Sequence, residues 1–211
     1  MADLNALHKA ILNGDLKAAV AVTKEALAEG ADPLDLVTNR MVPAMDEVGR
    51  RFECEEYFVP ELLLSARAMK GSLELIRPLL VASGAEPAGR VVIGTVKGDL
   101  HDIGKNLVAS MLEGGGFQVI DLGTDVAPEK FASAAADGGT NLVCLSALLT
   151  VTMPSMKRTI EALSEAGVRD RVKVLIGGAP VTQQYADEIG ADGFGQNATA
   201  AVQLARRLVG K

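Results

Sequence analysis

A single histidine flanked by carboxylates is the feature of this 211-residue sequence that could do chemistry most directly. His101 stands two residues after Asp99 and directly before Asp102. Imidazole is the commonest nitrogen ligand of transition metals, and a carboxylate on its other nitrogen fixes the tautomer and raises its basicity. Because one protein ligand holds a free metal ion poorly, we expect a metal at His101 to arrive already chelated, as in a tetrapyrrole.

A glycine-rich turn after a predicted strand is typical of phosphate binding, but the spacing here does not fit. Gly94, Gly98 and Gly104 do not form GxGxxG. Five residues separate Gly98 from Gly104, and Asn106 stands where a P-loop has Ser or Thr. A nucleoside-triphosphate or dinucleotide site is therefore disfavoured. The residues alone leave open that His101 only caps the following helix or hydrogen-bonds within its loop.

The elements that must position this loop follow from a change in periodicity along the chain. Apolar residues recur at helical spacing up to about residue 82. The predicted helices span 3–12, 16–29, 33–52 and 58–81. Short loops between four helices predict an antiparallel four-helix bundle. The small, turn-prone residues 82–89 are predicted to link a helical domain, 1–85, to a second domain, 86–211.

The second domain alternates short apolar runs with amphipathic helical segments. The predicted strands span 91–96, 118–122, 141–146, 172–176 and 192–194, and the predicted helices span 104–114, 127–137, 153–166, 181–189 and 197–209. This alternation predicts an α/β fold, a doubly wound, flavodoxin- or Rossmann-like sheet of five parallel strands. The common strand order is 2-1-3-4-5, with ligands outside the carboxyl ends of strands one and three. Those ends are followed by the loops 97–104 and 146–152, and residues 177–178 fall on the same rim.

Composition excludes several classes of function. The formal net charge of −6 gives no support for binding a polyanion, so no nucleic acid is expected. No run approaches the ~18 uncharged apolar residues of a membrane span, so no membrane is expected. Cys54 and Cys144 lie too far apart for a CxxC motif, are predicted to have structural roles or none, and make the cytoplasm the simplest setting. His8 lacks neighbouring carboxylates and is predicted to be a surface or core-edge residue.

Three short motifs carry a resemblance to a known family. The segments GDLHDIG (98–104), SALLT (146–150) and IGGA (176–179) resemble the DxHxxG, SxL and GG motifs of the cobalamin-binding domain of methionine synthase. Segments PAMDEVGRRF and YFVPELLLSARAMK resemble the helical cap that precedes that domain. The sequence as a whole is most similar to the small methyl-carrying corrinoid proteins of methyltransferase systems.

This resemblance implies roles for three residues around the cobalt ion. His101 would replace the cofactor's own dimethylbenzimidazole as the lower ligand, so that cobalamin binds base-off. Asp99 would hold the other imidazole nitrogen. Thr152 stands where the family usually has the serine that completes this relay, and its additional methyl group restricts the rotamer.

The resemblance also implies a larger set of residues that contact the cofactor. Those on the rim of the sheet are Gly98, Asp102, Ile103, Gly104, Ser146, Leu148, Thr150, Gly177, Gly178, Gln196, Asn197 and Ala198. Phe52 and Val59 match cap positions that shield the upper face of the corrin. Without the resemblance, the two glycines 177 and 178 would be interpreted as a tight turn, and Phe52 and Val59 as bundle core.

The function implied is that of a non-catalytic carrier subunit. Cobalamin, as methylcobalamin in the loaded state, would shuttle a methyl group between two partners. These are a substrate-specific methyltransferase and an acceptor methyltransferase that uses tetrahydrofolate or a thiol, with a reductive activase as a further partner. A cobalamin-dependent regulator, a mutase small subunit and a cobalamin storage protein are the alternatives. The regulator would need a DNA-binding module, and the mutase subunit normally lacks the cap.

Overall fold

The computed structural model describes residues 4–84, 86–137 and 139–210. The chain forms two compact units, Met1–Pro87 with Ser110–Gly116, and Ala88–Ala109 with Phe117–Lys211. The predicted helix start at residue 3 and the domain limits at residues 1, 85 and 211 lie outside the described residues. The division between residues 85 and 86 therefore stays a prediction.

The helical unit contains the predicted bundle, with one irregularity. Its helices are α1 (Leu4–Leu12), α2 (Leu16–Ala28), α3 (Pro33–Leu36), a π-helical turn (Val37–Met41), α4 (Val42–Glu53) and α5 (Val59–Ser83). Fully buried side chains at helical spacing, among them Leu7, Ile11, Leu62, Met69 and Ile76, form its core. Linker residues 82 and 83 were predicted wrongly, because α5 continues through them and ends at Gly84 in the left-handed region (φ 71°).

The π-helical turn divides the predicted helix 33–52. Pro43 has no N–H to donate, and the N–H of Val42 donates to the carbonyl of Val37, five residues back. His8 donates from Nδ1 to the carbonyl oxygen of Arg40 within this turn, at 3.3 Å. The partly buried His8 therefore serves the helical unit by satisfying a main-chain group.

The second unit has the predicted fold class, which is confirmed. Its strands are β1 (Arg90–Thr95), β2 (Gln118–Asp121), β3 (Leu142–Ser146), β4 (Lys173–Gly177) and β5 (Gly193–Phe194). All pair in parallel in the order β2-β1-β3-β4-β5. Thr95 lies opposite Ser146, which lies opposite Gly177, so the three central strands end level. The loops that follow β1, β3 and β4 thus meet at one edge.

A helix follows each strand. These helices are α6 (Ile103–Gly114), α7 (Pro128–Ala136), α8 (Pro154–Glu165), α9 (Gln183–Ile189) and α10 (Ala198–Val209), with a 3₁₀ turn at Arg169–Arg171. Residues 110–114 of α6 are grouped with the helical unit. Gly94 in β1 makes room for a buried ring, since a Cβ there would lie 2.7 Å from Cζ of Phe131. Within the described part of the chain, no helix is long and apolar enough to cross a membrane.

Candidate functional site

The loop after β1 turns sharply at Gly98. This residue has a φ of 87°, which L side chains rarely adopt, so the turn itself accounts for a glycine here. The N–H of Asp99 then donates to the carbonyl of Val96 at 3.1 Å. The turn directs the Asp99 side chain inward, where it is fully buried, while the side chain of His101 stays half-exposed.

The buried carboxylate of Asp99 collects donors from two loops. Its Oδ1 accepts from the main-chain N–H of His101 at 3.0 Å and lies 2.7 Å from Nδ1 of the same residue. Its Oδ2 accepts from the N–H of Leu148 at 2.8 Å and the hydroxyl of Thr152 at 2.7 Å. Burial opposes the charged form, but these hydrogen bonds outweigh it and hold the pKa of Asp99 well below its usual range.

Thr152 occupies the relay position despite its additional methyl group. Its hydroxyl lies 2.7 Å from Oδ2 of Asp99 and 2.8 Å from the carbonyl oxygen of Leu149. The hydroxyl has one hydrogen, and an ionised carboxylate is the stronger acceptor. The structure thus brings together the three residues for which the resemblance implies a relay.

The imidazole of His101 is held in one orientation. An ionised carboxylate only accepts, so the 2.7 Å contact with Asp99 places a hydrogen on Nδ1, and the neutral imidazole then has its lone pair on Nε2. The main chain is held as well, because Thr95 donates from Oγ1 to the carbonyl of His101 at 2.8 Å. A fixed tautomer with its second nitrogen directed away from the carboxylate is the arrangement found in metal-ligating histidines.

Apolar side chains are exposed on the two loops that Asp99 joins. Leu100 and Ile103 after β1 are 73% and 80% exposed, and Val151 after β3 is 78% exposed. Leu148 and Leu149 are also exposed. Such a concentration of exposed apolar groups marks a binding surface. An imidazole among them fits a broad, largely apolar ligand that brings its own chelated metal.

The remaining predicted rim residues have varied surroundings. Asp102, Gly104, Thr150 and Gln196 are exposed, and Ser146 and Gly177 are partly buried. Asn197 caps α10 by accepting from the N–H of Ala200 at 2.8 Å, and Ala198 is buried at the start of that helix. Capping of α10 is thus a structural reason for an asparagine at position 197 that does not involve a ligand.

The backbone at position 178 requires a glycine, and this requirement gives a prediction about stability. Its φ is 134°, and a Cβ would lie 1.8 Å from the carbonyl oxygen of Ala147. We expect Gly178→Ala to lower the free energy of unfolding by about 2–4 kcal/mol in urea denaturation, because it adds both backbone strain and a clash. Gly104→Ala is the control, since a Cβ there meets nothing within 4 Å. Equal stability of the two variants would contradict the close approach at Ala147.

Several residues that form or support the site were not predicted from the sequence. Thr95 is one, and the exposed Leu100, Leu149 and Val151 are others. The buried Lys105 pairs with the carboxylate of Asp121 and so fixes the first turn of α6 to β2. Leu100 and Leu149 lie inside the two motifs and Val151 directly follows the second, so their apolar character at these positions was a signal. The hydrogen bond from Thr95 to the carbonyl of His101 and the ion pair between Lys105 and Asp121 had no such signal.

Phe52 and Val59, the predicted shielding residues, belong to the helical unit. Phe52 is partly buried near the end of α4, and Val59 is exposed at the start of α5. The corner between them is tied by Arg51, which donates from Nη1 to the hydroxyl of Tyr57 at 3.1 Å and stacks on its ring. Tyr57 in turn donates to the carbonyl of Leu12 at 3.2 Å.

The two cysteines have different surroundings. Cys144 is buried within β3, and burial raises the pKa of its thiol to about 12. Cys54 is exposed at the end of α4. Among the residues that the structure describes, no group of three or more His, Cys, Asp or Glu side chains could hold a metal ion.

Comparison with known proteins gives the family. Residues 89–205 match the family described as the B12 binding domain, and residues 3–77 match a second family of the same description. A corrinoid protein of Desulfitobacterium hafniense is 42% identical over 100% of this chain and 99% of that protein. Trimethylamine corrinoid protein 1 of Methanosarcina acetivorans is 44% identical over 95% of this chain and 94% of that protein.

Solved structures agree. A chain in the crystal structure of the methanol:cobalamin methyltransferase complex from Methanosarcina barkeri matches with a TM-score of 0.87 and 30% identity. The match covers 98% of this chain and 79% of that chain. Taken with the family matches over both halves of the sequence, these similarities show that the chain belongs to the corrinoid proteins with a B12 binding domain.

Proposed function

We propose that this protein binds cobalamin base-off, with His101 as the lower cobalt ligand, and carries a methyl group between two methyltransferases. One observation carries the proposal. The imidazole of His101 is half-exposed, and its Nδ1 is held 2.7 Å from the buried carboxylate of Asp99. When bound, cobalamin supplies a cobalt ion that accepts a methyl group from one compound and gives it to another.

The residues of this chain supply orientation and electrostatics. Asp99 fixes the tautomer of His101 and accepts its Nδ1 hydrogen, and Thr152 fixes Asp99. A change in the electron demand on Nε2 is transmitted through the imidazole to the Asp99 carboxylate. The exposed apolar side chains on the same loops, which include Leu100 and Ile103, exclude water from a ligand that covers them.

The rim near α10 fits the polar tail of the cofactor. The hydroxyl of Thr199 is buried and has no hydrogen-bond partner among the described residues. A buried polar atom of this kind is normally satisfied by a partner, which a ligand can provide. Gly177, Gly178 and Ser146 leave little side-chain volume at the neighbouring strand ends. We assign the nucleotide tail of cobalamin to this part of the rim.

The partners follow from the relatives. One relative is a trimethylamine corrinoid protein, and one solved structure is a methanol:cobalamin methyltransferase complex. We propose a substrate-specific methyltransferase as the donor partner, an acceptor methyltransferase for tetrahydrofolate or a thiol, a reductive activase, and a cytoplasmic setting.

We also propose that the boundary between the two domains lies between residues 85 and 86. The two family matches end at residue 77 and begin at residue 89, so this boundary falls in the unmatched interval 78–88.

Titration of the apoprotein tests cofactor binding. We expect hydroxocobalamin or methylcobalamin to bind at about one per chain, because the site lies at the switch point of one parallel sheet. Absorbance spectroscopy measures the uptake. A nucleotide titrated in parallel is the control, because the glycine spacing of the first loop is unsuited to phosphate. Uptake of the nucleotide and not of cobalamin by folded protein would overturn the proposal.

Methyl loading tests the carrier role. The cobalamin-loaded protein is first reduced chemically to the cobalt(I) state, which can accept a methyl cation. It is then supplied with a donor panel of methylamines, methanol, methoxylated aromatics and betaines, each with a matching methyltransferase. Methylation with one donor, followed by transfer to tetrahydrofolate or a thiol through an acceptor enzyme, is the expected result. Tight cobalamin binding without methyl uptake from any donor would instead favour storage or sensing.

A further inference from the structure

Asp125, in the loop between β2 and α7, has an unusual backbone conformation. Its φ is 51°, in the left-handed region, and among the described residues other than glycine only Glu55 shares a positive φ. Asp and Asn tolerate this region better than most L residues, but they still adopt it rarely. Such a conformation persists where surrounding contacts require it, and it is found most often next to functional sites.

The contacts of Asp125 all go to the loop that precedes His101. Its Oδ1 accepts from the N–H of Gly98 at 2.8 Å, and its own N–H donates to the carbonyl of Asp99 at 2.9 Å. The carboxylate also lies 3.0 Å from Nζ of Lys97. Asp125 therefore binds three consecutive residues, and its left-handed backbone lets the side chain and the N–H face the same turn.

The carboxylate is charged when it makes these contacts. The N–H of Gly98 and the ammonium group of Lys97 lower the pKa of Asp125. The two contacts have unequal weight. Lys97 is exposed, and an exposed ion pair contributes little. The 2.8 Å hydrogen bond from the N–H of Gly98 to the carboxylate holds the residue at which the left-handed turn begins.

We propose that Asp125 is a positioning residue for the cobalt ligand. By holding both ends of the Gly98–Asp99 peptide, it fixes the point from which the Asp99 side chain reaches His101 and Thr152. This inference rests on the proposed function, because it concerns the residue that would ligate cobalt. The loop after the edge strand β2, which contains Asp125, thus supports the same site as the two loops that meet at Asp99.

Three variants separate the contacts. Asp125→Gly removes the carboxylate but accepts the left-handed backbone without strain. Asp125→Asn tolerates that backbone and keeps an oxygen that can accept from Gly98. Lys97→Met removes only the ion pair. We expect Asp125→Gly to lower the ratio of histidine-coordinated to uncoordinated cobalt(II). In Asp125→Asn and Lys97→Met this ratio should stay within about twofold of the wild-type value.

The first measurement needs no cofactor. The sequence has two histidines, so ¹⁵N spectra of the apoprotein resolve His101 from His8. Wild type should show His101 with its hydrogen on Nδ1, and Asp125→Gly should show a mixture of tautomers. The second measurement is electron paramagnetic resonance of the cobalt(II) protein. There the ratio of histidine-coordinated to uncoordinated cobalt should fall ~10-fold in Asp125→Gly.

The outcomes distinguish the two proposals. Wild-type spectra without a histidine nitrogen signal would refute ligation by His101 and, with it, the role of Asp125. A wild-type signal that Asp125→Gly retains in full, with an unchanged tautomer, would overturn the positioning role alone. Impairment of Asp125→Asn to the level of Asp125→Gly would also count against it, because the asparagine keeps the acceptor.

Discussion

The His101→Ala variant is expected to bind cobalamin without the nitrogen hyperfine signal that a histidine ligand gives to cobalt(II) in electron paramagnetic resonance. The substitution removes Nε2, the nitrogen that Asp99 leaves available. The loop should survive, because its main-chain contacts with Asp99 and Thr95 do not involve the imidazole. Affinity should fall only partly, since the other cofactor contacts remain. Methyl transfer should slow by ~100-fold, at the upper end of what changes around a metal ligand cause.

His8→Gln is the matched control for this experiment. It replaces the other histidine of the sequence, whose hydrogen bond goes to the carbonyl of Arg40 in the helical unit. Its cobalt spectrum and transfer rate should equal those of wild type. Identical spectra and rates for wild type and His101→Ala would show that His101 is not the ligand.

The Asp99→Asn variant is expected to lose both stability and part of the cobalt coordination. Each oxygen of the buried carboxylate accepts from a main-chain N–H, one from His101 and one from Leu148. An amide NH₂ group must therefore face one of these donors in either orientation. The unpaired buried donor should cost about 1–3 kcal/mol of unfolding free energy at neutral pH. Coordination should weaken less than in His101→Ala, because the ligand itself remains.

The pH dependence of this loss follows from the lowered pKa of Asp99. A carboxyl group whose folded-state pKa is depressed contributes stability above its unfolded-state pKa of about 3.9 and loses it as the pH falls. The difference in unfolding free energy between wild type and Asp99→Asn should thus be full at pH 7 and shrink below about pH 4.

Urea denaturation between pH 2.5 and 7, with amide exchange to localise the change, measures this difference. Asp102→Asn is the control, since the side chain of Asp102 is exposed and its carboxylate accepts from the Asn106 side chain at 3.0 Å. A pH-independent difference for Asp99→Asn, or an equal loss in Asp102→Asn, would contradict the role of the buried carboxylate.

Much of the fold could be predicted from the residues in order. The apolar runs and helical spacing placed every strand and helix of the α/β unit within about two residues and gave the parallel sheet with its strand order. The misplaced end of α5 has a local reason. Ala82 and Ser83 belong to a run of small residues that is turn-prone as a whole, but they follow a long helix whose last turn they complete, and alanine itself favours helix. The helix ends where Gly84 adopts the left-handed conformation.

The site was predictable where its chemistry is local. Asp99 and His101 lie two residues apart, so their pairing is visible as a carboxylate beside an imidazole. Thr152 came from the resemblance alone, because 53 residues separate it from Asp99. That distance is closed by the register of β1 and β3, in which Thr95 lies opposite Ser146.

The sequence by itself determined the two types of fold, the rim on which a ligand would bind and the identity of the candidate metal ligand. These features depend on the identity of residues and on the spacing of apolar residues, and both can be determined directly from the sequence. Only the tertiary structure decided that Thr95 and Asp125 hold the loop of His101, and that Gly178 faces the carbonyl of Ala147. The contacts of Asp125 and Gly178 join the ends of different strands, whereas that of Thr95 closes the loop after β1 onto the end of its own strand. Their distances are fixed by strand register and backbone conformation, which no local pattern records.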